Sequence, residues 1–203
     1  MAAYERMDQL SNNGQSVLTR EMLENNGISG NLLSPYAKKR GMERIAPGMY
    51  AGDAFVADDF MLLQKRYPKA IFYGYCALYL HGLSDYPPQV LEVICPPGYR
   101  IRTEDFRMKI IVHHESKKEL FDYQIEEVNT IFQNPVMTYG LDKSIVELIR
   151  RRRWYDSETF LKALRRYCKN DERDYARLDE YASMRGISSK VDETMEIFVN
   201  EDR

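Results

Sequence analysis

The chain has 203 residues, of which 44% are hydrophobic and 30% charged, and a formal net charge of −2. A disordered chain would carry fewer apolar residues and a larger charge imbalance, and a collagen-like chain far more than 11 Gly and 8 Pro. No apolar run reaches the roughly 18–20 residues of a bilayer span, and the start, MAAYERMDQLSNN, has no apolar signal segment. A cytoplasmic location without membrane attachment is therefore expected. Cys76, Cys95 and Cys168 are odd in number, far apart and set among apolar neighbours, the pattern of buried free thiols rather than of a disulfide framework or a CxxC metal site. The length fits one large domain or two of roughly 100 residues. So small a net charge gives no support to general nucleic-acid affinity, so any such affinity must be local.

Tyr4, Met7 and Leu10 recur at helical spacing, which predicts a first short amphipathic helix ended by Asn12, Asn13 and Gly14. Residues 15–18 read as extended. Thr19 is a good N-cap for a second helix, with Met22 and Leu23 facing inward until Asn26 and Gly27 stop it. Ile28 is an apolar plug, and Ser29 or Asn31 caps a third helix running to Gly41. Pro35 is tolerated only in the first turn, so the cap is either Asn31 or, with a helix of about residues 35–40, Ser34. Residues 42–45 alternate like a strand, 46–48 form a turn and 49–51 a returning strand.

This order is that of a winged helix-turn-helix, in which the third helix enters a DNA major groove and the hairpin lies on the backbone. Lys38, Lys39, Arg40 and Arg44 cluster at the end of that helix and the start of the wing. Glu5, Asp8, Glu21 and Glu24 sit mainly on the first two helices. Lys38, Lys39, Arg40 and Arg44 are the expected phosphate contacts, and Ser29, Asn31 and Tyr36 lie near the start of the helix, where base edges are read. A basic helix end is also simply favoured by the helix dipole.

From about Gly52 the pattern changes, placing a domain boundary between residues 52 and 53. A helix capped near Asp58 ends at Pro68, and residues 71–73 lead into an aromatic-rich buried helix over 75–83 stopped by Gly82. Residues 89–95 form a strand punctuated by prolines on both sides, followed by strands at 107–114, 125–128 and 136–139, making a small mixed sheet. The last third is helical, with apolar periodicity over 141–149, 160–168 after an Asp156/Ser157 cap, 175–182 and 191–199. The predicted fold is α+β: a winged helix-turn-helix over 1–52, then a mixed α/β domain over 53–203 with a helical C-terminal third.

Taken together, VLTREMLENNGIS, RGMERIAPGMYAG, RYPKAIFYGYCALYLHGLSD, a strand ending in PPGY, YGLDKSIVELIRRR and ETFLKALRRY resemble, in order and spacing, the AbiEi family of bacterial antitoxins. The likeness runs over roughly residues 4–185. It implies an N-terminal domain that binds repeats in its own promoter, and so double-stranded promoter DNA as a partner. It also implies a C-terminal antitoxin domain that counters an AbiEii-type nucleotidyltransferase-like toxin without a stable complex, in abortive infection against phage.

The remaining candidates are weaker. Arg150, Arg151 and Arg153, with Arg165 and Arg166 on the next helix, read either as a solvated helix end or as a basic surface for toxin neutralisation or nucleic acid. Consecutive helical residues point in different directions, so the run cannot all face one partner. His113 and His114 point to opposite faces of a strand, and with Glu115 they show no metal-ligand spacing. His81 and Cys76 fit no nucleophile motif, and phosphate loops of the GxxxxGK[ST] or GxGxxG type are missing. Asp58-Asp59 and Glu126-Glu127 are adjacent acids that solvated faces explain. The expectation is a non-enzyme without cofactor or metal. The rivals are a stand-alone transcription regulator and a metal-dependent nuclease using Glu92, Asp105 and Glu115.

Overall fold

The computed structural model describes residues 3–12, 17–52, 58–103, 106 and 108–201. The helix end expected at Asn13 and Gly14, the extended residues Gln15 and Ser16, the acid Asp105 and the strand start at Arg107 lie outside them. The chain is mixed α+β, with small sheets and a helical C-terminal part, and it divides into two units, Met1–Leu62 and Leu63–Arg203. The dividing point falls ten residues beyond the expected 52/53 boundary.

The first unit runs α1 (Ala3–Asn12), β1 (Val17–Thr19), α2 (Arg20–Asn25), α3 (Leu33–Arg40), β2 (Glu43–Ala46) and β3 (Met49–Ala51). Thr19 caps α2 as expected, its side chain accepting from Met22 N at 3.0 Å. Helix α3 has Leu32 at its cap position rather than any of the predicted Ser29, Asn31 and Ser34. A 3-10 turn over Gly30–Leu32 runs straight into it, and Ser29 precedes that turn without a side-chain cap bond. Pro35 is the third helical residue, where its missing N–H has no intrahelical partner to lose. Gly41, at φ +70°, ends the helix in the left-handed conformation that glycine adopts without strain. Strands β2 and β3 pair antiparallel, with an irregularity between Arg44 and Ala46, and β1 adds a third strand to give the order β1-β3-β2. Met7, Leu18, Leu23, Ile28, Leu33 and Tyr36 close the core between helices and sheet. Ala46 and Met49 pack with Met61 and Leu62 of α4 (Asp59–Arg66). The Asp58 carboxylate accepts from Met61 N at 3.2 Å at the start of that helix.

The second unit holds β4 (Ile71–Phe72), α5 (Tyr75–Leu80), β5 (Leu91–Cys95), β6 (Ile110–His114), α6 (Lys118–Asp122), β7 (Ile125–Asn129) and β8 (Pro135–Tyr139). Its sheet has the order β6-β5-β4-β8-β7, with β5/β6 and β4/β8 parallel and the other neighbours antiparallel. Residues 71–72, expected only to lead into a helix, are the middle strand. At two residues β4 is too short for any periodicity to announce it. Four helices follow, α7 (Leu141–Arg150), α8 (Ser157–Cys168), α9 (Tyr175–Arg185) and α10 (Ser188–Glu201). Every residue of α7 from Leu141 to Ile149 is buried, and α5, α8, α9 and α10 pack around it. Burial of Ile145, Val146, Leu148 and Ile149 contributes roughly 1.5–3 kcal/mol each. The three cysteines are free and buried.

Candidate nucleic-acid interface

The buried and exposed positions of α3 decide what it offers to a partner. Leu33, Tyr36 and Ala37 point into the core, whereas Ser34, Pro35, Lys38 and Lys39 stand out from it, with Asn31 and Ser29 exposed just before. Lys38 has no ion-pair or hydrogen-bond partner among the described residues. Lys39 lies over the Tyr4 ring at 5.5 Å. Arg44 is exposed on β2, opposite Tyr50 of β3.

One predicted contact, Tyr36, is corrected. Tyr36 is 1% exposed, and its hydroxyl donates to Asp8 Oδ1 at 2.6 Å while its ring meets Tyr4 edge-on at 5.3 Å. It is a core residue linking α3 to α1 and reaches no base edge. Burial and the Asp8 carboxylate push its phenol pKa up. Arg40 pairs with Asp8 Oδ2 and lies 5.8 Å from the Tyr36 ring, but it stays exposed. Asp8, one acid that offsets the local charge in sequence, is thus occupied on the α1 side of α3. Arg20 is exposed beside this face, donating from Nη2 to Asn31 Oδ1 at 3.4 Å. Sequence reasoning missed it because it stands apart from the basic cluster, at the start of α2.

The basic run of the second unit is divided. Arg150 donates from Nε and Nη2 to Glu147 Oε2 at 3.0 and 2.7 Å. Arg151 is largely buried between the rings of Tyr73 and Trp154, its guanidinium carbon 5.1 and 4.2 Å from their centroids. These two therefore serve the interior rather than a surface, because Glu147 is a buried carboxylate that needs cationic partners. Arg153 is exposed. Lys162, Arg165 and Arg166 of α8 and its C-cap Lys169 recur at helical spacing and line an open groove of about 560 Å³ with Glu158 and Leu161. Arg166 donates to Gly82 O at 3.1 Å and pairs with Asp85 at 2.5 Å.

Two of the nuclease candidates, Glu92 and Glu115, are engaged elsewhere, and Asp105 lies outside the described residues. Glu92 Oε2 lies 3.3 Å from His113 Nε2, and Glu115 pairs with Arg185 at 2.6 Å. His81 Nε2 meets Tyr139 O at 2.7 Å. Cys76 Sγ accepts from Glu92 N at 3.2 Å, and burial pushes its thiol pKa far up. Among the described residues, no three His, Cys, Asp or Glu side chains converge on a position that could hold an ion. No described helix is long and apolar enough to cross a membrane.

The chain is thus a mixed α+β protein whose first unit presents a basic helix-and-hairpin face. No family profile matches it, and no curated protein does. Among solved structures it is similar to the crystal structure of the RV2827C protein from Mycobacterium tuberculosis, with a TM-score of 0.61 and 12% sequence identity. The match covers 98% of this chain and 77% of that one, and at this identity it is a likeness of fold alone.

Proposed function

We propose that the protein is a DNA-binding repressor and antitoxin without catalytic activity, acting in the cytoplasm. In this reading the first unit is a winged helix-turn-helix: α2, the following turn and α3 form the helix-turn-helix, and β2–β3 is the wing. The observation that carries the reading is the division of charge around α3. Asp8 takes the Tyr36 hydroxyl and pairs with Arg40, which leaves no acid among the described residues for the exposed Lys38, Lys39 and, from the hairpin, Arg44, and Asn31 and Ser34 are exposed beside them. Lys38, Lys39 and Arg44 serve as phosphate contacts, and Asn31 and Ser29 as groups for base edges. Arg153, Arg165 and Arg166 are kept as an accessory basic surface.

The resemblance to the AbiEi antitoxins supports the second half of the proposal, with an AbiEii-type nucleotidyltransferase-like toxin as the functional partner. A mobility shift on the DNA upstream of the protein's own gene tests the first half. Three phosphate contacts give a slope of log K against log salt of about −2.7 or steeper, and no shift at 50 mM salt refutes DNA binding. Co-expression with the product of the neighbouring gene tests the second half, and growth arrest that persists contradicts it.

A further inference from the structure

Three elements close on Arg20. Its amide donates to Gly48 O at 2.9 Å, which ties the start of α2 to the β2–β3 turn. Its side chain crosses Gly30, at the head of the 3-10 turn before α3. A Cβ on Gly30 would stand 2.5 Å from Arg20 Cγ and 2.7 Å from both Arg20 Nε and Glu24 Oε1. Gly30 is not in the left-handed region, so what a side chain here would meet is the Arg20 and Glu24 side chains, which would have to move aside. At the far end, Nε donates to Glu24 Oε1 at 2.8 Å and Nη2 to Asn31 Oδ1 at 3.4 Å. A guanidinium has five N–H donors. Two are used, the other three have no partner among the described residues, and the side chain is 60% exposed. A solvated i,i+4 pair contributes little and needs no slot cut beneath it. Here the backbone tether to the hairpin places the residue, and the bonds to Glu24 and Asn31, over a glycine that leaves the side chain room, orient its guanidinium.

The geometry points to Arg20 as a phosphate clamp that binds the DNA backbone at the seam between the turn and the wing, with Glu24 and Gly30 as positioning residues. The inference rests on the DNA-binding reading above. The chemistry is that of a phosphodiester oxygen pair meeting a guanidinium edge, the bidentate contact that Lys cannot reproduce. Glu24 holds Nε so that the Nη edge faces outward. Because Arg20 also touches Asn31, the clamp sets the register of the residue placed to meet a base edge.

The test uses the full chain and two labelled duplexes of equal length, its own upstream DNA and an unrelated sequence, titrated at 50 to 200 mM NaCl. Arg20→Gln is expected to weaken both complexes by a similar factor and to make the salt slope shallower by about 0.9. The wild-type advantage then narrows about 3.5-fold across that salt range. Arg20→Lys retains the slope but not the full affinity. Gly30→Ala keeps every charge yet displaces the Arg20 stem, so it reproduces part of the loss, and it keeps the test open should Arg20→Gln fold poorly. An unchanged slope in Arg20→Gln overturns the clamp, and a loss confined to the upstream duplex overturns it in favour of base reading. Wild-type protein that binds neither duplex removes the DNA-binding reading and the clamp with it. Normal wild-type binding with indifferent variants removes the clamp alone.

Discussion

Tyr36 and Lys143 show how burial changes what a polar residue does. The Tyr36 hydroxyl bridges α3 to Asp8 of α1, so Tyr36→Phe should lower the stability of the first unit by about 1 kcal/mol, read as a urea midpoint. On the proposed DNA-binding function, affinity should stay within about twofold, and a loss that depends on DNA sequence would make Tyr36 a base contact after all. Lys143, at 0% exposure, has its Nζ 2.7, 3.0 and 2.5 Å from the carbonyl oxygens of Leu120, Phe121 and Tyr123 and 3.3 Å from the Tyr139 ring centroid. Burial pulls its pKa down to about 6, with the nearby Glu147 charge opposing the shift. Between about pH 6 and the unfolded value near 10.4, the unfolded chain therefore binds one proton more than the folded one. Stability from this group rises with pH across that window, by at most about 1.4 kcal/mol per pH unit. Urea titrations from pH 6 to 9 should show this slope in the wild type, and Lys143→Met should lack it. Neither role follows from residue type. Tyr36 stands between Pro35 and Ala37, and Lys143 in a helix start of ordinary polarity, so only their partners reveal that they are interior groups.

At the level of elements, local signals worked where a cap or a long periodic stretch was present. Thr19 and Asp156 cap α2 and α8, and the four C-terminal helices lie where apolar spacing puts them. They failed where tertiary pairing makes the element. Strand β4 exists because β5 and β8 flank it, α6 is a five-residue helix with no periodic run of its own, and α3 starts from a 3-10 turn rather than from a capping side chain. On α9 the Asp174 carboxylate accepts from Ala176 N at 2.9 Å and Arg177 N at 3.2 Å. Asp174→Ala should cost about 1 kcal/mol, measured by urea denaturation, and Asp174→Asn should recover most of it. An equal loss in both variants would mean that the cap is not what Asp174 contributes. The candidate site divides in the same way. Exposed Lys38, Lys39 and Arg44 were recognisable from charge clustering, whereas Arg20 was not, because its position depends on three segments meeting.

For the molecule as a whole, the second unit is built around one charge. Glu147 is 2% exposed and accepts from Tyr73 on the sheet side, Tyr181 and Arg185 on α9, and Arg150 on its own helix. Burial alone would raise its pKa. Arg150 above all, with Arg185 and Tyr73, outweighs burial and holds the carboxyl below the ordinary range. A depressed folded pKa gives stability that is present above the unfolded value near 4.3 and is lost as pH falls through the folded one. Glu147→Gln should cost about 3 kcal/mol, since it leaves the partly buried Arg150 without a counter-charge and Arg185 with Glu115 alone. Its urea midpoint should also fall less steeply than that of the wild type between pH 5 and 3, and an identical acid profile would show that Glu147 is not the titrating group. Trp154, exposed at 59% and stacked against Arg151 of this same cluster, is the chain's one tryptophan. Its emission, excited at the red edge of protein absorption, is a built-in optical label for residues 63–203 alone, while circular dichroism sums both units. Superimposing the two denaturation curves therefore measures, with no added probe, whether the first and second units melt as one cooperative body or in two steps.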